Sequence, residues 1–255
     1  MTNYGLQMYS VRDLTGTDMR EALSRVAAMG YHYVEFAGFF DYPAAQIKAW
    51  LDEFGLEVSG THTGMDQITP DTIEETIAYH KAIGCTDLIV PGAKWNTPEE
   101  MEATLAALNY AGKRLAEEGI TLGYHNHSKE FYPTPYGKVT EDEVIARTDV
   151  KLEIDTFWLF NAGIEPVAYC EAHKDRIRMI HLKDGILPKE RELRYDNPRE
   201  GVKDTSLGLG EAPIREIREW ALANGVMMIV ESEGLKPSGL EEVQRCIDYL
   251  RTLEA

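Results

Sequence analysis

The chain has 255 residues, with 26 lysines and arginines against 43 aspartates and glutamates, a formal net charge of −17. That excess opposes the long-range pull of a phosphate backbone and argues against nucleic acid as a partner, and no run approaches the roughly 18 apolar residues of a membrane span. Cys85, Cys170 and Cys246 are too few and too scattered for a disulfide framework or a cysteine zinc knuckle, and with an N-terminus lacking a basic or long apolar run they suggest a reducing, cytoplasmic setting.

Taken in chain order, short β-branched runs alternate with segments whose apolar residues recur three and four apart, so strands alternate with amphipathic helices. Strands are predicted at Tyr4 to Tyr9, Tyr31 to Phe36, Glu57 to His62, Asp87 to Pro91, Ile120 to His125, Lys151 to Asp155, Ile177 to His181 and Met227 to Glu231. Eight units over 255 residues give about 32 residues each, close to a (β/α)8 TIM barrel of roughly 250 residues. The expectation is α/β class, with one barrel domain over residues 1–255. A doubly wound open sheet is the alternative, but no Gly-x-Gly-x-x-Gly follows the first strand.

Helix boundaries support the alternation. Thr97 to Glu100, Thr140 to Glu143 and Ser238 to Glu241 read as capping boxes, which satisfy orphan N–H groups at a helix start. Gly30, Gly55, Gly84, Gly119 and Gly225 each sit between a predicted helix and the next strand, where a left-handed cap is expected. The stripes Met101/Leu105/Leu108/Leu115 and Leu240/Val243/Ile247/Leu250 give two helices an apolar face. His80 falls on the Ile73/Ile77 stripe and reads as a core histidine.

One connection is too long, since 184–213 spans about 30 residues where two to six suffice. It carries Lys189, Arg191, Arg194 and Arg199, and reads as a lid over the strand ends or as an oligomer contact.

Side chains alternate along a strand, so apolar residues facing the helices send their neighbours into the barrel. This turns Thr121, Gly123 and His125 inward on strand five, Glu153 and Asp155 on strand six, Met179, His181 and Lys183 on strand seven, and Met227, Ile229 and Glu231 on strand eight. Glu35 and His62 obey the same parity on strands two and three. The chemical residues fall at C-terminal strand ends, where barrel active sites are built. Buried charges there require a counter-ion, because desolvation costs several kcal/mol per ion; a divalent cation supplies it, with a salt-bridged plug through Lys183 as the rival.

Tyr124-His-Asn-His127 with Glu130-Phe131, Ile154 to Trp158, Ile180 to Asp184, Gly208-Leu-Gly210 and Ile229-Val-Glu231 together resemble the xylose isomerase-like TIM barrels, a superfamily of sugar isomerases, epimerases and inosose dehydratases. The resemblance covers essentially the whole chain. It implies metal ligands at the ends of strands five to eight, with Asp155, His181 and Glu231 in the last three positions. On strand five the family's frequent glutamate is replaced by His125, or displaced if Glu130 reaches back. Dimers or tetramers are the family-level expectation.

The implied chemistry is proton transfer next to a carbonyl of a sugar or cyclitol through an enediolate, with Glu231 as base and His125, His127 or Lys183 returning the proton. Isomerase or epimerase leads; a lyase on a 3-keto sugar or inosose follows, and a non-catalytic sugar-binding barrel is the third reading. Mixed nitrogen and oxygen donors suit Mn2+, Co2+ or Zn2+ better than Mg2+. Glu35, His62, Trp95, His127, Glu130 and Trp158 are the expected substrate contacts, because sugars need polar partners and a flat apolar wall. Endonuclease-like cleavage with three zinc ions fits poorly with the negative charge and only seven histidines.

Overall fold

Each strand of the predicted series pairs in parallel with the next until the last returns to the first. The barrel runs β1 (Gly5–Gln7), β2 (Tyr33–Phe36), β3 (Glu57–His62), β4 (Asp87–Val90), β5 (Thr121–His125), β6 (Lys151–Asp155), β7 (Ile177–Leu182) and finally, as its eighth strand, β10 (Met227–Val230). The computed structural model describes residues 2–190, 192 and 194–254, so Arg191 lies outside the described residues. Two short strands, β8 (Asp184–Ile186) and β9 (Lys203–Thr205), form an antiparallel ribbon within the long connection after β7.

The helices are α1 (Arg12–Thr15), α2 (Met19–Met29), α3 (Ala44–Phe54), α4 (Ile73–Ile83), α5 (Pro98–Ala116), α6 (Thr140–Arg147), α7 (Thr156–Asn161), α8 (Pro166–His173), α9 (Ile214–Asn224) and α10 (Gly239–Thr252). Among the described residues none is long and apolar enough to cross a membrane. Outward strand residues and helix stripes share clusters as the parity predicts. Leu88, Val90, Leu122 and Tyr124 join Met101, Leu105, Leu108 and Leu115 of α5, while Leu152, Ile154, Ile180 and Val230 join Val243, Ile247 and Leu250 of α10. Each such buried side chain stabilises by about 1.5–3 kcal/mol relative to exposure.

Inside the barrel, Ile89, Met179 and Ile229 form a small separate cluster. Glycines make room for it: a Cβ on Gly5 would stand 2.4 Å from Ile229 Cδ1, and one on Gly123 2.5 Å from Ile89 Cδ1. This apolar plug is the floor beneath the polar strand ends. At the opposite end Arg178, left over where the β6–β7 register slips, pairs with Asp87 at 2.7 Å.

Three local expectations are corrected. The first strand ends at Gln7 and not Tyr9, because the Gln7 side chain accepts the Tyr9 N–H and turns the chain into a 3-10 turn. Thr140 is not a cap: α6 takes its first bond at Val139, which leaves Thr140 as a buried helical residue without a partner for its hydroxyl. Gly119 adopts the left-handed conformation but lies three residues past the end of α5, whereas Gly30, Gly55, Gly84 and Gly225 cap their helices directly. Thr97 and Ser238 do cap theirs, and His80 is a satisfied core histidine bonded to Thr61 Oγ1 and the Thr76 carbonyl.

Candidate metal centre and cavity

Register brings the ends of β5, β6, β7 and β10 to one level, with Asp155 beside His181 and His181 beside Ile229. One donor atom from each of His125, Asp155, His181 and Glu231 lies within 4.8 Å of the others, and all four residues are buried. Asp155 is aimed by the helix that follows it: Oδ1 caps α7 by accepting the Phe157 and Trp158 N–H groups at 2.9 and 3.0 Å, which leaves Oδ2 without a partner. Asn126 fixes the same strand end, donating to the Asp155 carbonyl and accepting its N–H.

A lower carboxylate layer orients the imidazoles. His181 Nε2 lies 2.7 Å from Glu35 Oε2 and 3.3 Å from Glu153 Oε1, while His62 Nε2 lies 2.7 Å from Glu153 Oε2. Gln7 Nε2 donates to Glu35 Oε2 at 2.7 Å. A carboxylate on one ring nitrogen is how a metal-binding histidine is held with its other nitrogen directed at the ion. That other nitrogen, Nδ1 of His181, lies 3.5 Å from Glu231 Oε2, and among the described residues neither it nor either nitrogen of His125 has a hydrogen-bond partner. His62, His125, Glu153 and His181 form a second, deeper quartet sharing two members with the first.

These orphaned buried atoms, a mixed imidazole and carboxylate set with converging lone pairs, fit a divalent cation. The electrostatics agree. Burial pushes Glu35 up to about 7, helped by the neighbouring Glu153, and pushes Asp155 up to about 6. Burial, then His181 and His62, hold His125 well below the usual imidazole range. Glu231 is held well below the carboxylate range although burial opposes this, because Lys183 and His181 face it.

Lys183 is wholly buried beside the quartet. Its Nζ donates to Glu231 Oε2 at 2.9 Å and to Glu233, lies 4.0 Å from Asp155 Oδ2, and sits 4.8 Å from the Trp158 ring centroid. Above the quartet opens a cavity of about 420 Å³, lined by His62, His125, His127, Glu231, Glu233 and Arg199, with Tyr9 and Pro91 as walls. Two larger grooves of about 680 Å³ contain no member of either quartet and carry no comparable chemistry.

The expected site residues thus separate. His125, Asp155, His181 and Glu231 come together, Lys183 adjoins them, His62 and His127 reach the cavity, and Glu35 lies beneath. Trp158 is fully buried under Lys183 and Arg199 and is not an open wall. Trp95 and Glu130 do not line the cavity. Trp95 belongs to the apolar cluster behind β5 and donates to the outward Tyr124 hydroxyl, and Glu130 accepts the His127 N–H at 2.9 Å and the same tyrosine hydroxyl at 3.4 Å. Glu130 therefore does not reach back as a ligand.

Glu233, Gln7 and Tyr9 are site residues that the sequence did not single out, and Glu153 and Arg199 were named there without a role in the site. Parity had already turned Glu153 inward, and Glu233 follows Glu231 by two. The 184–213 connection, read as a lid or an oligomer contact, carries Arg199 to the cavity.

The family described as the xylose isomerase-like TIM barrel matches residues 23–253. The chain is 23% identical to an inosose dehydratase of Lactiplantibacillus plantarum over 92% of this chain and 88% of the relative. It is 27% identical to a 2-oxo-tetronate isomerase of Haemophilus influenzae over 66% of this chain and 76% of that one. A sugar phosphate isomerase/epimerase from Parabacteroides distasonis superposes with a TM-score of 0.81 at 26% identity, covering 98% of both chains.

Proposed function

We propose that this chain, which belongs to the xylose isomerase-like TIM barrel family, is a divalent-metal-dependent sugar isomerase or epimerase that transfers a proton next to a substrate carbonyl. The observation that carries the reading is the quartet His125, Asp155, His181 and Glu231, in which His125, Asp155 and His181 offer donor atoms that have no hydrogen-bond partner among the described residues. Mn2+, Co2+ or Zn2+ suits that donor set, and when bound it would supply charge stabilisation for the enediolate that develops as the α-proton leaves.

The chain's own groups do the rest. Lys183 positions Glu231 and keeps it ionised, so a carboxylate stands at the cavity able to accept the α-proton; its ion pairs run through Oε2. His127 is held neutral, pushed down to about 3 by burial, then by His125 and Lys183, so it offers the substrate a hydrogen-bonding ring without added charge. Returning the proton to the neighbouring carbon isomerises, and returning it to the opposite face epimerises.

Dehydration is the second reading, in which loss of a β-hydroxyl follows the same abstraction. The likeness to inosose dehydratases along most of the chain favours considering it. Incubating the metal-loaded protein with ketoses, 3-keto glycosides and inososes in deuterated water, followed by proton NMR, tests both. Deuterium next to a carbonyl is expected; no exchange on any member of the panel sinks the reading.

A further inference from the structure

The cavity has a second chemical end, built by the 184–213 connection. That connection is anchored at its base by Asp184, whose carboxylate accepts the N–H groups of Gly185, Gly208, Gly210 and Ala212 at 2.9 to 3.0 Å. Farther out, Asn161 Nδ2 donates to the Pro198 carbonyl at 2.7 Å, and the Val202 N–H closes a turn on the Arg199 carbonyl. Arg199 is therefore fixed where it stands, on the cavity wall with its side chain 47% exposed.

Its guanidinium lies 4.6 Å over the Trp158 ring, a cation–π contact. Nη2 donates to Glu233 Oε2 at 3.1 Å and to Asp204 Oδ2 at 3.4 Å. Both contacts use the same nitrogen, and among the described residues Nε and Nη1 have no hydrogen-bond partner. Arginine carries five N–H donors, so three remain beside the cavity. Lys183, the neighbouring cation, is wholly buried and committed to carboxylates, so Arg199 is the positive group on this wall that a ligand can reach.

We propose that Arg199 recognises a carboxylate on the substrate, which makes the substrate class a sugar acid with its reacting carbonyl at the quartet and its acid group under the guanidinium. This rests on the proton-transfer reading above. A carboxylate meets the guanidinium with opposite charge and can accept two parallel N–H···O bonds, which a single neutral hydroxyl cannot, and that is what would distinguish an acid from the matching polyol. The carboxylates of Glu231 and Glu233 on the same lining oppose a dianion more than a monoanion, which favours a carboxylate over a phosphate.

The test is calorimetric titration of the metal-loaded protein with three probes: gluconate, glucitol and glucitol 6-phosphate. Gluconate is expected to bind at least tenfold tighter than glucitol, with the phosphate no better than glucitol. Arg199→Met should bring gluconate and glucitol to near parity, and Arg199→Lys should restore part of the preference, which a loop-anchoring role alone would not do. Equal binding of gluconate and glucitol, a preference that survives Arg199→Met, a preference for the phosphate, or no binding of any probe would each overturn the assignment. Failure of the proton-transfer reading shows differently, as absent deuterium incorporation with the gluconate preference intact.

Discussion

Buried carboxyls stand on both sides of the barrel wall, and the neighbours each side supplies decide which of them stay charged. Behind the sheet, Glu130 and Glu141 are buried with mainly hydroxyl and N–H partners, Tyr124 and the His127 N–H for one and Tyr169 for the other, and a cation, Lys129, stands 3.8 Å from Glu130 Oε1. Burial pushes them up to about 7 and about 8. Inside the barrel Glu35 and Asp155 are raised as well, to about 7 and about 6, yet imidazoles and Lys183 hold the equally buried Glu153 and Glu231 well below the ordinary carboxylate range. Burial alone neutralises an acid; it takes converging cations to keep one charged, and a cluster that keeps its charge while leaving donor atoms unpaired is a site.

The sharpest way to break this comparison is to remove charge from the inner set. Glu231→Gln should lower α-proton exchange by about 10³-fold, within the range for loss of a positioned base, when exchange is followed by NMR in deuterated water. Full exchange in this variant would remove Glu231 as base. Metal removal comes next: chelator-treated protein should lose about 3 kcal/mol of stability relative to protein held at 100 times the dissociation constant, read by thermal melts with and without added Mn2+ or Zn2+. Identical melts would leave the inner set balanced by Lys183 and the imidazoles without an ion.

The outer set sharpens the contrast through pH. Because the folded pKa of Glu141 is raised from 4.5 to about 8, its contribution to stability is fully present below about 4.5 and is lost as pH rises through about 8. Glu141→Gln carries no charge to bury, so it should match the native chain near pH 4 and exceed it by a few kcal/mol above pH 8, since each pH unit between the two values is worth on the order of 1.4 kcal/mol. Denaturant melts across that range would measure it, and a constant difference at all pH values would contradict the assignment. The smallest effect is expected for Trp95→Phe, which removes one buried hydrogen bond to Tyr124 and should cost about 1 kcal/mol of stability while leaving exchange unchanged. Lost exchange would return Trp95 to the cavity.

Most of the inner set was legible because parity is a local rule. Once Leu152 and Ile154 face the helices, Asp155 must face the axis, and the same step placed His125, His181 and Glu231. What parity cannot carry is anything past a strand end. Trp95 and Glu130 lie on loops after β4 and β5, where direction is set by tertiary packing against Tyr124, and both went behind the sheet. Arg199 is the converse case: its place depends on Asp184 gathering four N–H groups from residues up to 28 positions away, a contact that no local pattern announces. Thr140 failed for a related reason, since the Ser/Thr-x-x-Glu string was present but burial of its hydroxyl shifted the helix start by one residue.

The most direct test is a Co2+ titration of metal-stripped protein followed by its visible absorption, on the native chain and on Asp155→Ala and His181→Ala. The account predicts a saturable spectrum at one ion per native chain and none, or a greatly weakened one, in each variant. A native chain that takes up no cobalt, or variants that bind it unchanged, would contradict the claim that these strand ends share one ion.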